Sequence, residues 1–573
     1  MIGIINFVVP AGCGINATTL PPSARVLSDC RQRSGVFDDK SVVCGQPVLL
    51  DVEGLLALPV GAALSFVAPI YVEYHPALSS VSVEDFRQAA ARPSVRGKLV
   101  LVTSDMDFAL SLLGSPAAPC AIALKASEAA GPASTETAGV LLDHGLRLFG
   151  AEAPPLGVWG GIATPEGAAA FLATGASFVV VEHLHWLTSE VLLPEETQQR
   201  LRSLKLDSSS VITAGVGVQW RFFDKGNSKA VRNLKNLLAQ RDQEGAQPGT
   251  VALSLDVSNL SVSSLSSNEL TPLGIDAAFA ATFVERFGMD TCAALAGFTA
   301  KALECWGNAP DVYQDFLNGQ IVSDFGVRFP IIQGGMSWIS DSLDFATAVA
   351  DAGALPTLAV GMRSPADMDR DFSGVAEVMQ GKPYAMNVLV LDENPRRDGQ
   401  LAWLEEKRPP FVVVAAGAPA FAGEMRRKGL EVIYLASDIG LLRMAAEAGI
   451  RFVVLEGSEA GGHVGRLTML TLAQAALELR RAEPKLLEGV HIILAGGVSD
   501  GPSALRAAIL GADAVQMGTA YLASREIVAT GALSEIFQKN ILSARFAGTC
   551  ITGKASDYAC APWKHRRSVP FAN

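Results

Sequence analysis

From residue 330 onward the chain alternates short, apolar, β-branched runs with longer amphipathic segments, and this pattern restricts the fold most. The runs are Pro330–Gly334, Leu355–Val360, Ala385–Leu391, Phe411–Ala416, Glu431–Ala436, Phe452–Glu456, His491–Gly496 and Ala514–Thr519. Continuous apolar runs of this kind mark strands buried on both faces, as in a parallel sheet. Helical patterns such as Ser342–Ala352 and Leu441–Ala448 lie between most of them. Eight βα units in about 240 residues is the size of a closed (β/α)₈ TIM barrel, an α/β fold. A doubly wound open sheet is the alternative, disfavoured by the even spacing and by the lack of Gly-x-Gly-x-x-Gly after the first strand.

In such a barrel, chemistry sits at the C-terminal ends of the strands. The informative residues should therefore follow each run. Gly496-Gly497 and Gly518-Thr519 end neighbouring strands, where bare amides and a hydroxyl suit a dianionic phosphate. Gly461-Gly462-His463 follows the sixth run and places an imidazole with acid/base capacity over the mouth. Gly334-Gly335-Met336 offers bare backbone and a thioether to a flat ring system. Asn387 is polar in an apolar strand and needs partners, which a cofactor or a neighbouring loop would supply.

Composition narrows the classes further. With 18% charged residues and 49% hydrophobic ones the chain is not a disordered protein. A net charge of −12 argues against a nucleic-acid surface, and no apolar run reaches the length of a membrane span. The start, Met1–Pro10, reads as a first strand in place of a signal peptide. Eight cysteines without a Cys-x-x-Cys pair fit neither a disulfide framework nor a zinc site, and point to the cytoplasm.

The elements Phe329–Met336, Glu456–Gly465, Ala495–Val498 and Gly511–Thr519 resemble, in order and spacing, the nitronate monooxygenase (2-nitropropane dioxygenase) family and the related FMN-type enoyl-acyl-carrier-protein reductases. The resemblance implies a (β/α)₈ barrel with non-covalent FMN. Carried over, Gly334, Gly335, Met336, Asn387, Glu456, Gly461, Gly496, Gly497, Gln516, Met517, Gly518 and Thr519 would contact FMN, and His463 would be the catalytic histidine. Glu456 departs from the family, which often has glutamine there. Gly518–Leu522, Gly531–Gln538 and Leu273–Ala280 are similar to the barrels embedded in large polyketide and polyunsaturated fatty-acid synthases. The implied function is an FMN-dependent oxidoreductase that reduces enoyl thioesters, with NAD(P)H as reductant. Its partners would be a small or carrier-bound acyl substrate and synthase domains, with self-association left open and no nucleic acid or membrane. A nitronate monooxygenase using O₂ and a non-catalytic synthase scaffold are the alternatives.

The first half repeats the second. Val102–Asp105 matches Leu435–Asp438, Lys125–Pro132 matches Glu456–His463, Gly160-Gly161 matches Gly496-Gly497, and Gly175-Ala176 matches Gly511-Ala512. Pro132 stands for His463, and Glu182-His183 for Gly518-Thr519. A carboxylate in place of a phosphate site repels the phosphate. The expected layout is a degenerate barrel over 1–206 without FMN, incomplete or distorted in its early part, a connector with helical segments over 207–325, and the FMN barrel over 326–573. Glu182, His183 and His185 read as a surface loop in preference to a metal site. In the connector, Ser228–Asp242 reads as a helix and Ser254–Ser267 as an extended stretch. Phe279, Phe283 and Phe287 form a packing stripe, and the tail Trp563–Arg567 is a solvated basic cluster.

Overall fold

In a computed structural model of the chain, the described residues are 4–10, 19–30, 47–58, 68–76, 79, 81–150, 153–215, 218–225, 228–243, 265–391, 394–462, 464–543, 548–551 and 557–560. They form two compact units, Met1–Gly307 and Asn308–Asn573. The division falls within the segment expected as a connector.

The first unit is built on strands β1 (Ile5–Pro10), β2 (Ala24–Asp29), β3 (Val48–Asp51), β4 (Ile70–Glu73), β5 (Leu99–Thr103), β6 (Ala121–Lys125), β8 (Leu156–Trp159) and β9 (Phe178–Val181). They close into a parallel barrel in that order, with β9 returning to β1. An incomplete barrel was expected from the weak periodicity before Lys98, and the closed ring corrects this. All four of its first strands carry only four to six residues, too few to show a period, yet each pairs on both sides. Val8, Leu27, Leu49, Tyr71, Val100 and Trp159 are among the side chains that form one buried cluster.

The interruption between β6 and β8 is β7 (Gly131–Ser134), which joins β10 (Ser209–Gly215) and β11 (Val218–Phe223) in an antiparallel sheet of order β10-β11-β7. It covers the C-terminal end of β6, where Arg221 Nε donates to Ser127 O at 2.7 Å. Helix Lys229–Gln243 occupies the segment read as helical. Residues 254–264 of the serine-rich stretch and the basic tail lie outside the described residues. Phe283 and Phe287 pack on Phe298, so the aromatic stripe is core.

The second unit carries β12 (Ile331–Gln333), β13 (Thr357–Ala359), β14 (Ala385–Leu389), β15 (Phe411–Ala415), β16 (Val432–Ala436), β17 (Phe452–Glu456), β18 (His491–Ala495) and β19 (Ala514–Met517). All eight lie within the runs read from the sequence. The parallel order runs from β13 through β19 to β12, and a parallel bridge between Ile332 and Leu355 joins the two ends into a ring. Phe325, at the end of helix Gln320–Phe325, packs on Phe411 and Phe452 with ring centroids 5.0 and 4.8 Å apart. Both phenylalanines open their strands, so Phe325 closes the end of the barrel opposite the loops that carry the chemistry.

The repeated motifs have a physical cause. Asp105 and Asp438 each accept a backbone N–H three residues on, from Phe108 at 2.8 Å and Leu441 at 2.9 Å, and so cap the helix after β5 and after β16. Gly160 and Gly161 have φ of 124° and 72°, Gly496 and Gly497 of 110° and 69°. Both pairs make the same left-handed turn that only glycine adopts cheaply.

Candidate active site at the mouth of the second barrel

The C-terminal ends of β12, β14, β17, β18 and β19 bring most of the expected residues together. Gly334 donates its N–H to Met517 O at 2.8 Å. A Cβ on Gly334 would stand 3.2 Å from Gln516 Cγ, and one on Gly335 would stand 2.9 Å from Asn387 Cβ. The bare backbone after β12 therefore runs between Gln516 and Asn387, and the missing side chains are what allow it. Met336 lies beside Gly518, its sulfur 4.0 Å from where a Cβ would be. Asn387 is buried and donates from Nδ2 to Val413 O at 3.3 Å, which leaves its carbonyl oxygen beside Gly335.

Glu456 ends β17 and is buried. Gln516 Nε2 donates to its Oε1 at 3.4 Å. Burial pushes the carboxyl up to about 8, with the Gln516 contact opposing that rise. At neutral pH the group is mostly the uncharged acid. Glu456 thus presents a neutral hydrogen-bonding group.

Gly496 is buried against the β17 loop, with Ala460 N 3.2 Å from where its Cβ would be, and Gly497 is exposed. Gly461 is exposed in the same loop. His463, the expected catalytic histidine, lies outside the described residues. Its chain neighbours Gly462 and Val464 belong to this loop, between β17 and helix Met469–Ala482.

Gly518 and Thr519 open a 3₁₀ helix, Thr519–Ala523. Among the described residues no protein acceptor reaches the amides of Gly518, Thr519 or Ala520, and Thr519 is exposed. The first barrel shows what such amides hold. There the equivalent residues Glu182, His183 and Leu184 all donate their N–H groups to one oxygen, Asp276 Oδ2, at 3.1, 2.6 and 3.1 Å. Three successive amides converging on one oxygen form an anion nest. In the first barrel the chain fills it with its own carboxylate.

This corrects the expectation for the first barrel in two respects. Glu182 does not occupy the anion position: its carboxylate turns aside to accept from Ala130 N at 2.8 Å, and Asp276 takes the place. Nor do Glu182, His183 and His185 form a surface loop, since all three are buried. The sequence reading missed this because Asp276 is distant in the chain, though it lies in Leu273–Ala280, a stretch already singled out.

Three further residues at the second mouth escaped the sequence reading. Glu459 Oε2 accepts from Met469 N at 2.9 Å, tying the β17 loop to the next helix beside Gly496. Trp338 is 64% exposed with φ of 65°. Ala416, just after β15, has φ of 53°. A non-glycine residue in the left-handed region costs energy and concentrates at functional sites. No spacing pattern announces such backbone. A separate cavity of about 450 Å³ lies among residues that precede β12, β13 and β14, including Arg328, Asp351 and Lys382. It belongs to the opposite end of the barrel from these loops.

The family model for nitronate monooxygenase matches residues 320–561. A probable nitronate monooxygenase of Staphylococcus saprophyticus is 26% identical over 277 residues, spanning 41% of this chain and 76% of the relative. One from Staphylococcus aureus strain Newman is 25% identical over 263 residues, covering 39% and 72%. Among solved structures, FabK from Thermotoga maritima is 28% identical with a TM-score of 0.38, covering 43% of this chain and 76% of that one. The enoyl reductase domain of MlnA from Bacillus amyloliquefaciens is 12% identical with a TM-score of 0.36, covering 42% and 65%. Over residues 320–561 the second barrel of this chain is thus similar to the nitronate monooxygenase family.

Proposed function

We propose that the second barrel is an FMN-dependent oxidoreductase and that its substrate is an enoyl thioester. The observation that carries the flavin reading is the pair of nests. Amides at equivalent places hold a carboxylate oxygen in the first barrel and, among the described residues, stand without a protein acceptor in the second. Gly518, Thr519 and Ala520, with Gly496-Gly497 on the next strand, would hold the phosphate. Gly334-Gly335, Asn387 and Gln516 would lie against the ring, where side chains on the glycines would intrude. Bound FMN would supply two-electron hydride chemistry.

The protein's own part is to bind, orient and manage protons. Uncharged Glu456 would present a hydrogen-bonding group to the ring without placing a negative charge beside it. His463 would orient the thioester carbonyl or protonate the α-carbon. The synthase-like stretches Gly518–Leu522, Gly531–Gln538 and Leu273–Ala280 support a carrier-bound acyl substrate, with NAD(P)H as the reductant and synthase domains as partners. Cys30, Cys120, Cys292 and Cys305 are not in disulfides, which fits a reducing compartment such as the cytoplasm. No helix among the described residues is long and apolar enough to cross a membrane.

The names of the matched relatives favour a second reading, oxidation of alkyl nitronates with O₂. Anaerobic stopped-flow bleaching of the flavin tests both. Rapid bleaching by NADPH or NADH, followed by reoxidation with an enoyl thioester, is the expected result. Bleaching by a nitronate alone would replace it with the second reading. A colourless protein that takes up no FMN would leave only a scaffold.

A further inference from the structure

We propose that Glu182, His183 and Asp276 form a buried binding site for a divalent transition-metal ion at the covered mouth of the first barrel. Glu182 and His183 follow β9 directly, and Asp276 comes from the segment that crosses that mouth. All three are at most 5% exposed. Glu182 Oε2, His183 Nδ1 and Asp276 Oδ1 lie within 4.8 Å of one another. His183 Nδ1 is 3.6 Å from Asp276 Oδ1 and 4.0 Å from Glu182 Oε2, both beyond hydrogen-bonding distance.

Each of these atoms is an acceptor aimed at the others. Asp276 is fixed through its other oxygen by the three amides of residues 182–184, and among the described residues Oδ1 itself has no hydrogen-bond partner. Glu182 is fixed by Ala130 N. The His183 ring is held against Trp186, with centroids 4.3 Å apart, and Nδ1 takes a long contact of 3.4 Å from the Gly274 amide, which a bound metal would displace. A Cβ on Gly274 would stand 2.5 Å from Asp276 Oδ1, 3.0 Å from Glu182 Oε2 and 3.3 Å from His183 Nδ1. The three atoms thus surround a common point, left open by a glycine. Ligand atoms oriented by backbone donors are how metal sites hold their geometry.

The charge balance also calls for a cation. Nearby Lys125 is paired with Glu73 and reaches Glu182 only as a longer-range charge, and Arg221 Nε is spent on Ser127 O. Among the described residues, the ion-pair contacts of Glu182 and Asp276 are with His183. Buried carboxylates persist when paired or when they coordinate a metal. One imidazole nitrogen with two carboxylate oxygens suits zinc or manganese, and neither a soft copper(I) site nor an all-oxygen calcium site.

The test is the metal content of the full-length protein, purified without chelator, by inductively coupled plasma mass spectrometry. We expect about one equivalent of zinc or manganese per chain. X-ray absorption at the metal edge should show nitrogen and oxygen ligands without sulfur. Asp276→Asn keeps an oxygen for the three amides and turns the free one into a donor. That variant and His183→Gln should each lose the metal at least about tenfold with unchanged circular dichroism. Wild-type protein that is metal-free as isolated, and stays so after refolding in Zn²⁺ or Mn²⁺, would overturn the proposal in favour of a shared proton. Folded variants that retain the metal, or sulfur in its coordination shell, would overturn it equally. If both variants misfold, the wild-type content and absorption spectrum still decide.

Discussion

Replacing Glu456 with glutamine should stabilise the second barrel, by an amount that depends on pH in a defined way. Glu456 is 5% exposed, and burial raises its carboxyl from 4.5 to about 8. Because the folded value lies above the unfolded one, the native state binds the proton more tightly. The group imposes no penalty below pH about 4.5. Between there and pH about 8 it costs about 1.4 kcal/mol per pH unit, and beyond pH 8 the loss levels off near 5 kcal/mol. At pH 7 the penalty is about 3 kcal/mol. Glu456→Gln keeps a hydrogen-bonding group beside Gln516 and removes the ionisation. The stability difference between variant and wild type should therefore be near zero at pH 4.5, about 3 kcal/mol at pH 7 and about 5 kcal/mol at pH 9. Urea unfolding of the full chain, read by hydrogen–deuterium exchange of peptides covering residues 452–462, isolates the second unit. A difference that stays flat from pH 5 to pH 9 would show that the carboxyl is already ionised in the folded state, and the account of its environment would fail.

Other perturbations bear on the same mouth. Gly335→Ala drives a methyl into Asn387 at 2.9 Å; an overpacking cost of about 1–3 kcal/mol should weaken FMN uptake roughly 10- to 100-fold in a fluorescence-quenching titration. Gly518 has φ of −114° and a Cβ there would meet the Met336 sulfur at an ordinary contact distance of 4.0 Å, so Gly518→Ala should bind FMN nearly as wild type. Gly518→Glu, which copies the first barrel's residue, should lower affinity by more than about 100-fold through repulsion of the phosphate; equal affinities for the two variants would remove the phosphate from this loop. His463→Ala should lower turnover by about 10²–10⁴-fold while FMN affinity persists, measured by steady-state kinetics and equilibrium titration side by side.

Much of the architecture was legible in the chain because barrel strands are buried on both faces. Such strands are written as unbroken apolar runs, and all eight of the second unit were visible. The repeat was legible for a different reason. Asp105 and Asp438 cap helices, and Gly160-Gly161 and Gly496-Gly497 occupy left-handed turns, so local backbone chemistry preserved the residues in both halves. Gly334, Gly335, Asn387 and Gly518 were singled out one by one, since glycines at strand ends and an amide in an apolar run stand out, whereas Gln516 came in through the family resemblance.

Contacts distant in sequence were decided by tertiary structure alone. That Asp276 would fill the nest after β9, that β7, β10 and β11 would cover the first mouth, and that Glu182 would face His183 over Gly274 depend on chain segments meeting from far apart. The protonation of Glu456 follows the same logic, because the titration of a carboxyl answers to what surrounds it and only the closed barrel sets its surroundings. Local pattern encodes which face of an element is buried; which charge meets which amide is settled when the ring closes.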